Sequence, residues 1–102
     1  ALLNGEGVAK NHVEAAKWFR KAAKQGSLNA QCNLGLTLMH GQGVAKDKVE
    51  AAKWLRKAAK QGHDTAQCNL GAALMNGQGV AKNEAEAAEW YRKAAEQGGP
   101  IM

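Results

Sequence analysis

The sequence predicts an all-α solenoid of antiparallel helix pairs, about two and a half repeats of 36 residues. Three observations carry that expectation. Residues 5–40 align without a gap to residues 41–76 with 26 of 36 positions identical, and a third copy opens at Gly77. Within each copy an amphipathic stretch is followed by a stretch that is apolar on most sides. Glycines sit where each stretch must end. A fixed period of about 20 to 50 residues marks stacked supersecondary units, each burying its apolar face only against its neighbours. The organisation expected is one repeat domain over 1–102: the end of a helix B at 1–4, repeats at 5–40 and 41–76, and a partial repeat at 77–102.

Each unit opens with a helix A. Asn11, Asp47 and Asn83 are followed three residues later by Glu14, Glu50 and Glu86. That spacing suits a capping box, and the acid also suits the positive end of the helix dipole. Helix A is then expected to run to about Lys24, with Gly26, Gly62 and Gly98 free to take the left-handed conformation that ends it. At 100° per residue, Ala15, Ala16, Trp18, Phe19, Ala22 and Ala23 share one arc, and Glu14, Lys17, Arg20, Lys21 and Lys24 fill the other. The tryptophans therefore read as core residues. Truncating a buried Trp54 to Ala would cost about 3–5 kcal/mol.

Helix B is expected from about Leu28 to Met39, with Ser27 as its cap and only Asn29, Asn33 and His40 as a narrow polar strip. A helix apolar around most of its circumference is sandwiched between two others. Gly35 and Gly71 sit in its middle at a cost of about 1 kcal/mol each relative to Ala, which points to close approach by helix A, expected beneath a Trp. The connectors NGEGVAKN, HGQGVAKD and NGQGVAKN then turn the chain, with Val8, Val44 and Val80 as the residues that tuck back.

These residues resemble the Sel-one-like repeat family, relatives of the tetratricopeptide repeats. The motifs are Trp18-Phe19 and Trp54-Leu55 in an Ala-rich first helix, AAKQG, AQCNLG and GQGV, in register along essentially the whole chain. Leu55 departs mildly at the second aromatic position. The resemblance implies a right-handed superhelix with helix A on the concave side, and an adaptor or scaffold that assembles proteins. A cysteine-rich branch of the family, associated with penicillin binding, bridges its helices with paired cysteines. This chain has one Cys per repeat, Cys32 and Cys68.

Those two cysteines occupy equivalent places in successive repeats, expected about 8–10 Å apart, beyond disulfide reach. They read as unbridged thiols packing as small hydrophobes, which leans toward a reducing compartment. No apolar run of about 18 residues is present to span a membrane. The chain begins at Ala1, and a leader is neither seen nor ruled out. His12, His40 and His63 stand at three different repeat positions, so no metal or other cofactor is expected. The G-x-G loops lack the G-K-[ST] that phosphate cradling needs and read as turns. The lone Ser27 reads as a cap rather than a nucleophile, so no catalytic residue is expected.

Charge is the remaining signal. The net +5 divides as +3 over 5–40, +3 over 41–76 and −1 over 77–102. That balance is too mild to indicate nucleic acid. Lys17, Arg20 and Lys24 are matched by Lys53, Arg56 and Lys60, and the stripe becomes Glu89, Arg92 and Glu96 in the third copy. These nine are the candidate partner-binding residues, facing an acidic protein or peptide at one end. The ends offer a second contact: ALLN reads as the end of a helix B, Pro100–Met102 as the start of another, and Trp90, Tyr91, Ala94 and Ala95 lack a covering helix. The expectation is a segment of a longer array, or end-to-end stacking on other chains. Near-identity between copies also suits an idealised consensus design, since consensus repeats are unusually designable.

Overall fold

The computed structural model describes residues 5–98, with side chains from Asn11 onward. Among the described residues there are five helices and no strand: α1 (Gly5–Lys24), α2 (Leu28–His40), α3 (Lys48–Lys60), α4 (Asp64–Asn76) and α5 (Glu84–Glu96). They form an all-α repeat solenoid in which α2 packs between α1 and α3, and α4 between α3 and α5. The expected sandwiching of helix B is what the chain does.

The cause is visible in the core. Leu34, Leu38, Leu70 and Leu74 of the B helices are at most 2% exposed, and alanines of the A helices (Ala51, Ala52, Ala58, Ala59) close over them at similar burial. Small residues let helices approach closely, and the leucines fill what remains. Val44 and Val80 of the connectors pack onto this cluster as expected. Val8 has no described side chain, and the segments 1–4 and 100–102 read as helix B ends lie outside the described residues.

Local punctuation follows the sequence with instructive exceptions. Asp47 and Asn83 cap α3 and α5, each side chain accepting a backbone N–H three residues on, from Glu50 and Glu86. Ser27 caps α2 in the same way. At the matching place in the next copy the cap is His63, whose Nδ1 accepts from Ala66 N at 3.1 Å. With Nδ1 accepting, the ring proton sits on Nε2 and is donated to Asn29 Oδ1 at 2.7 Å, tying α4's start to the preceding repeat. Gly41 and Gly77 end α2 and α4 in the left-handed conformation, at φ 69° and 67°. Gly43 and Gly79 (φ 77° and 75°) lie against the backbones of His12 and Lys48, so one connector is pressed onto α1 at His12 and the other onto the start of α3.

Copy one departs from expectation. α1 already begins at Gly5, so residues 5–10 are helical rather than a connector, and Asn11 lies inside the helix instead of capping it. In copies two and three the cap residue is tied back to helix B, Asp47 N donating to Leu38 O and Asn83 N to Leu74 O. The matching acceptor for Asn11 is Leu2, outside the described residues. Over 5–10 intrahelical bonds take over, carrying Gly5 and Gly7 at about 1 kcal/mol each.

The tryptophans are a second correction. Trp18 is 64% exposed, and Trp54 and Trp90 are only half-buried. The adjacent position is the anchor: Leu55 is 1% exposed. Gly35 makes room for Leu55, and Gly71 for Tyr91, rather than for a Trp. A Cβ on Gly35 would sit 2.8 Å from Leu55 Cγ, and one on Gly71 3.0 Å from Tyr91 Cε1. Two consecutive residues on a helix point 100° apart, so Trp and its neighbour cannot both face the core squarely. The end helix is better covered than the sequence suggests. Ala94 is fully buried, Tyr91 and Trp90 are partly buried, and only Ala95 is exposed.

Candidate functional site

The A helices present their charged sides on one face of the solenoid, and that face is ordered by a ladder between repeats. Arg20 Nη1 donates to Glu50 Oε2 at 2.8 Å, and Trp54 Nε1 donates to the same oxygen at 3.1 Å. One repeat on, Arg56 Nη1 donates to Glu86 Oε2 at 2.7 Å and Trp90 Nε1 joins at 3.1 Å. Each Glu thus joins the Arg of the preceding repeat to the Trp of its own. The carboxyls of Glu50 and Glu86 are held below the usual carboxylate range, first by the Arg bond and then by the indole N–H, against a smaller opposing effect of burial.

Two sequence expectations change here. Glu50 and Glu86 do not return to their own caps as a reciprocal capping box would require; they reach back to the Arg of the preceding repeat. Arg20 and Arg56 are therefore bound up in the scaffold, about a third exposed, and are not free cations of the stripe. Among the described residues, neither Glu14 nor Arg92 has an ion-pair partner.

Lys17, Lys24, Lys53 and Lys60 stand exposed on α1 and α3, and Glu89, Arg92 and Glu96 on α5. In the middle repeat Lys53, Arg56, Lys57 and Lys60 surround a single hollow of about 280 Å³. The basic stripe is thus a continuous patch there, with Arg56 as its inner wall.

Sequence reasoning missed the contribution of the tryptophans. Each carries the ammonium of the lysine three residues on over its ring: Lys21 on Trp18 at 5.3 Å, Lys57 on Trp54 at 5.5 Å and Lys93 on Trp90 at 5.2 Å. The signal was present as a Trp-x-x-Lys spacing kept in register in all three copies. A shallow niche of about 300 Å³ lies beside Trp54, lined by Glu50, Lys53 and Lys57. Its counterpart of about 230 Å³ lies beside Trp18, lined by Glu14, Lys17 and Lys21.

Residues raised for other chemistry have structural roles. Ser27 Oγ is occupied in capping α2. Cys32 and Cys68 are buried, and burial raises both thiols above their ordinary range, more than offsetting the Asn69 contact at Cys32. No helix among the described residues is long and apolar enough to cross a membrane.

Comparison with known proteins agrees with this geometry. The Sel1 repeat pattern matches three times, over residues 1–27, 28–63 and 64–99, the second and third matches keeping the 36-residue period and opening at α2 and α4. A Sel1 repeat protein from Oxalobacter formigenes is 49% identical over 84% of this chain and 35% of its own, with a TM-score of 0.80. A protective antigen of uropathogenic Escherichia coli displaying an SLR fold is 47% identical over 95% of this chain and 21% of its own, with a TM-score of 0.84. Cysteine rich protein B of Helicobacter pylori is 31% identical over 81% of this chain and 62% of its own, with a TM-score of 0.77. The chain therefore spans less than two thirds of each of these neighbours. No curated protein matches it.

Proposed function

The chain belongs to the Sel1 repeat family, and from that premise we propose that it is a non-catalytic interaction module whose A-helix face forms a concave groove for an acidic protein or peptide. Sel1 repeat proteins are generally protein-interaction scaffolds. The observation that supports the finer reading is the clustering of Lys53, Lys57 and Lys60 around the Arg56 wall, with Lys17 and Lys24 continuing it on α1. Exposed cations clustered on one face raise the local potential and speed the encounter with an acidic partner more than they tighten the final complex. Glu89 and Glu96 end the patch on α5 and give the groove a direction.

The cysteine-rich, penicillin-binding alternative gains nothing from these residues, because Ser27 is used as a cap and the chain carries one Cys per repeat. The test is the association rate of a fluorescein-labelled polyglutamate peptide at low and high salt. Changing Lys17, Lys24, Lys53 and Lys60 to Glu removes no residue of the Arg–Glu ladder. It is expected to slow association at low salt by about tenfold or more. Association that is unchanged, or equally fast at high salt, overturns the groove.

A further inference from the structure

Resting on that groove, we propose that each tryptophan and its flanking residues form a subsite for one apolar side chain with an adjacent acidic group. An extended peptide would then be read one subsite per repeat, acid-preferring in the first two and not in the third. In the middle subsite the ring of Trp54 is only partly buried, yet its polar options are spent. Its Nε1 is committed to Glu50, and the Lys57 ammonium lies over the ring. What it still offers is apolar surface. Lys53 and Lys57 both line the hollow of about 300 Å³ beside that surface. A carboxylate bridging the two ammoniums would set the neighbouring side chain on the indole, where it sheds water without taking any existing bond.

The subsites repeat because their residues do. In the third copy Glu89 replaces the lysine that precedes the Trp, while Lys93 is kept. A carboxylate bridge there would meet a like charge, so the third subsite selects against acid. The helices carrying successive subsites are bridged by the long side chains of Arg20–Glu50 and Arg56–Glu86 rather than packed directly together, so the packing distance of about 10 Å is the least that separates them. An extended chain rises about 3.3 Å per residue, so anchors belong no closer than about every third residue of the ligand.

A nucleic acid strand would also bring anions and stacking groups. It is disfavoured because residues 77–102 carry net −1, so the patch does not continue as the unbroken basic track that a phosphate backbone needs.

The experiment is a tryptophan-fluorescence titration with two short synthetic peptides of identical composition. One has Phe at every third position with Asp between; the other has its Phe residues clustered at one end. The spaced peptide is expected to bind about tenfold more tightly, because its anchors engage several subsites at once. Glu89→Lys is expected to raise the affinity for this acidic peptide about threefold or more by converting the third subsite to the pattern of the others. Equal affinity for the two peptides, with binding still lost in the four-lysine reversal, overturns the subsites while leaving the groove. Binding of neither peptide overturns both. An oligothymidylate that competes as well as the spaced peptide overturns the choice of ligand class.

Discussion

Trp54 and Leu55 are neighbours that sequence reasoning treats alike and the structure separates, so substituting each by Ala gives a sharp test. Leu55 is 1% exposed and seats on Gly35, whose missing side chain leaves backbone along that side of the space that truncation would open. Backbone cannot collapse into such a hole, and buried Leu→Ala changes cost about 2–5 kcal/mol depending on that collapse. About 3.5 kcal/mol is expected for Leu55→Ala. Trp54→Ala removes one hydrogen bond to a partly exposed carboxylate, one cation–π contact and part of the burial of the ring. At about 1 kcal/mol for the bond and about 0.5 kcal/mol for the exposed cation contact, with some lost burial, the total is about 2 kcal/mol. Small proteins lose about 1–3 kcal/mol per molar urea. Leu55→Ala should therefore lower the urea midpoint, followed by far-UV circular dichroism, clearly further than Trp54→Ala. A larger loss for Trp54→Ala would refute the assignment of Leu55 as the anchor.

Two further outcomes follow from the same coordinates. Gly35→Ala is expected to destabilise by about 1 kcal/mol net despite the better helix propensity of Ala, because the new Cβ would meet Leu55 Cγ at 2.8 Å and Ala51 O at 3.2 Å. Gly71→Ala, whose nearest neighbours are atoms of the Tyr91 ring rather than backbone, should be milder by urea midpoint. The Glu50 and Glu86 carboxyls have lowered values in the folded chain, so the unfolded chain takes up their protons first as pH falls. Their contribution is complete above the ordinary Glu value of about 4.3 and disappears as pH drops through the lower folded-state values. Glu50→Gln with Glu86→Gln should flatten the acid limb of the urea-midpoint profile, by about 0.2–1 kcal/mol per pair given their exposure. Superimposable profiles would contradict the ladder.

Much of this fold was legible because its signals are local and repeated. The Asp47 and Asn83 caps, the glycine stops after Gln25 and Gln61, and the apolar circumference of helix B are all read within a few residues. The ladder was not, because Arg20 and Glu50 lie thirty residues apart and meet only once repeats stack. Sequence position alone assigned Glu50 to its own cap. Trp54 was misplaced because an arc of six residues is too broad to tell centre from edge, and hydrophobicity favours the larger ring. His63 was missed as a cap because only its Nδ1 lone pair, once the ring is oriented by Asn29, makes it resemble Ser27. Of the candidate site, the lysines were visible as a stripe. That Arg20 and Arg56 belong to the scaffold, and that the tryptophans border the lysines, required the packed repeats.

The most direct test of the central claim is to map, by amide chemical-shift changes, where the spaced acidic peptide lands on the isotopically labelled chain. Changes centred on Lys17–Lys24 and Lys53–Lys60, with the Trp18 and Trp54 indole signals moving alongside, are the expected result. Changes centred instead on the helix B strip around Asn29, Asn33 and His40 would contradict it.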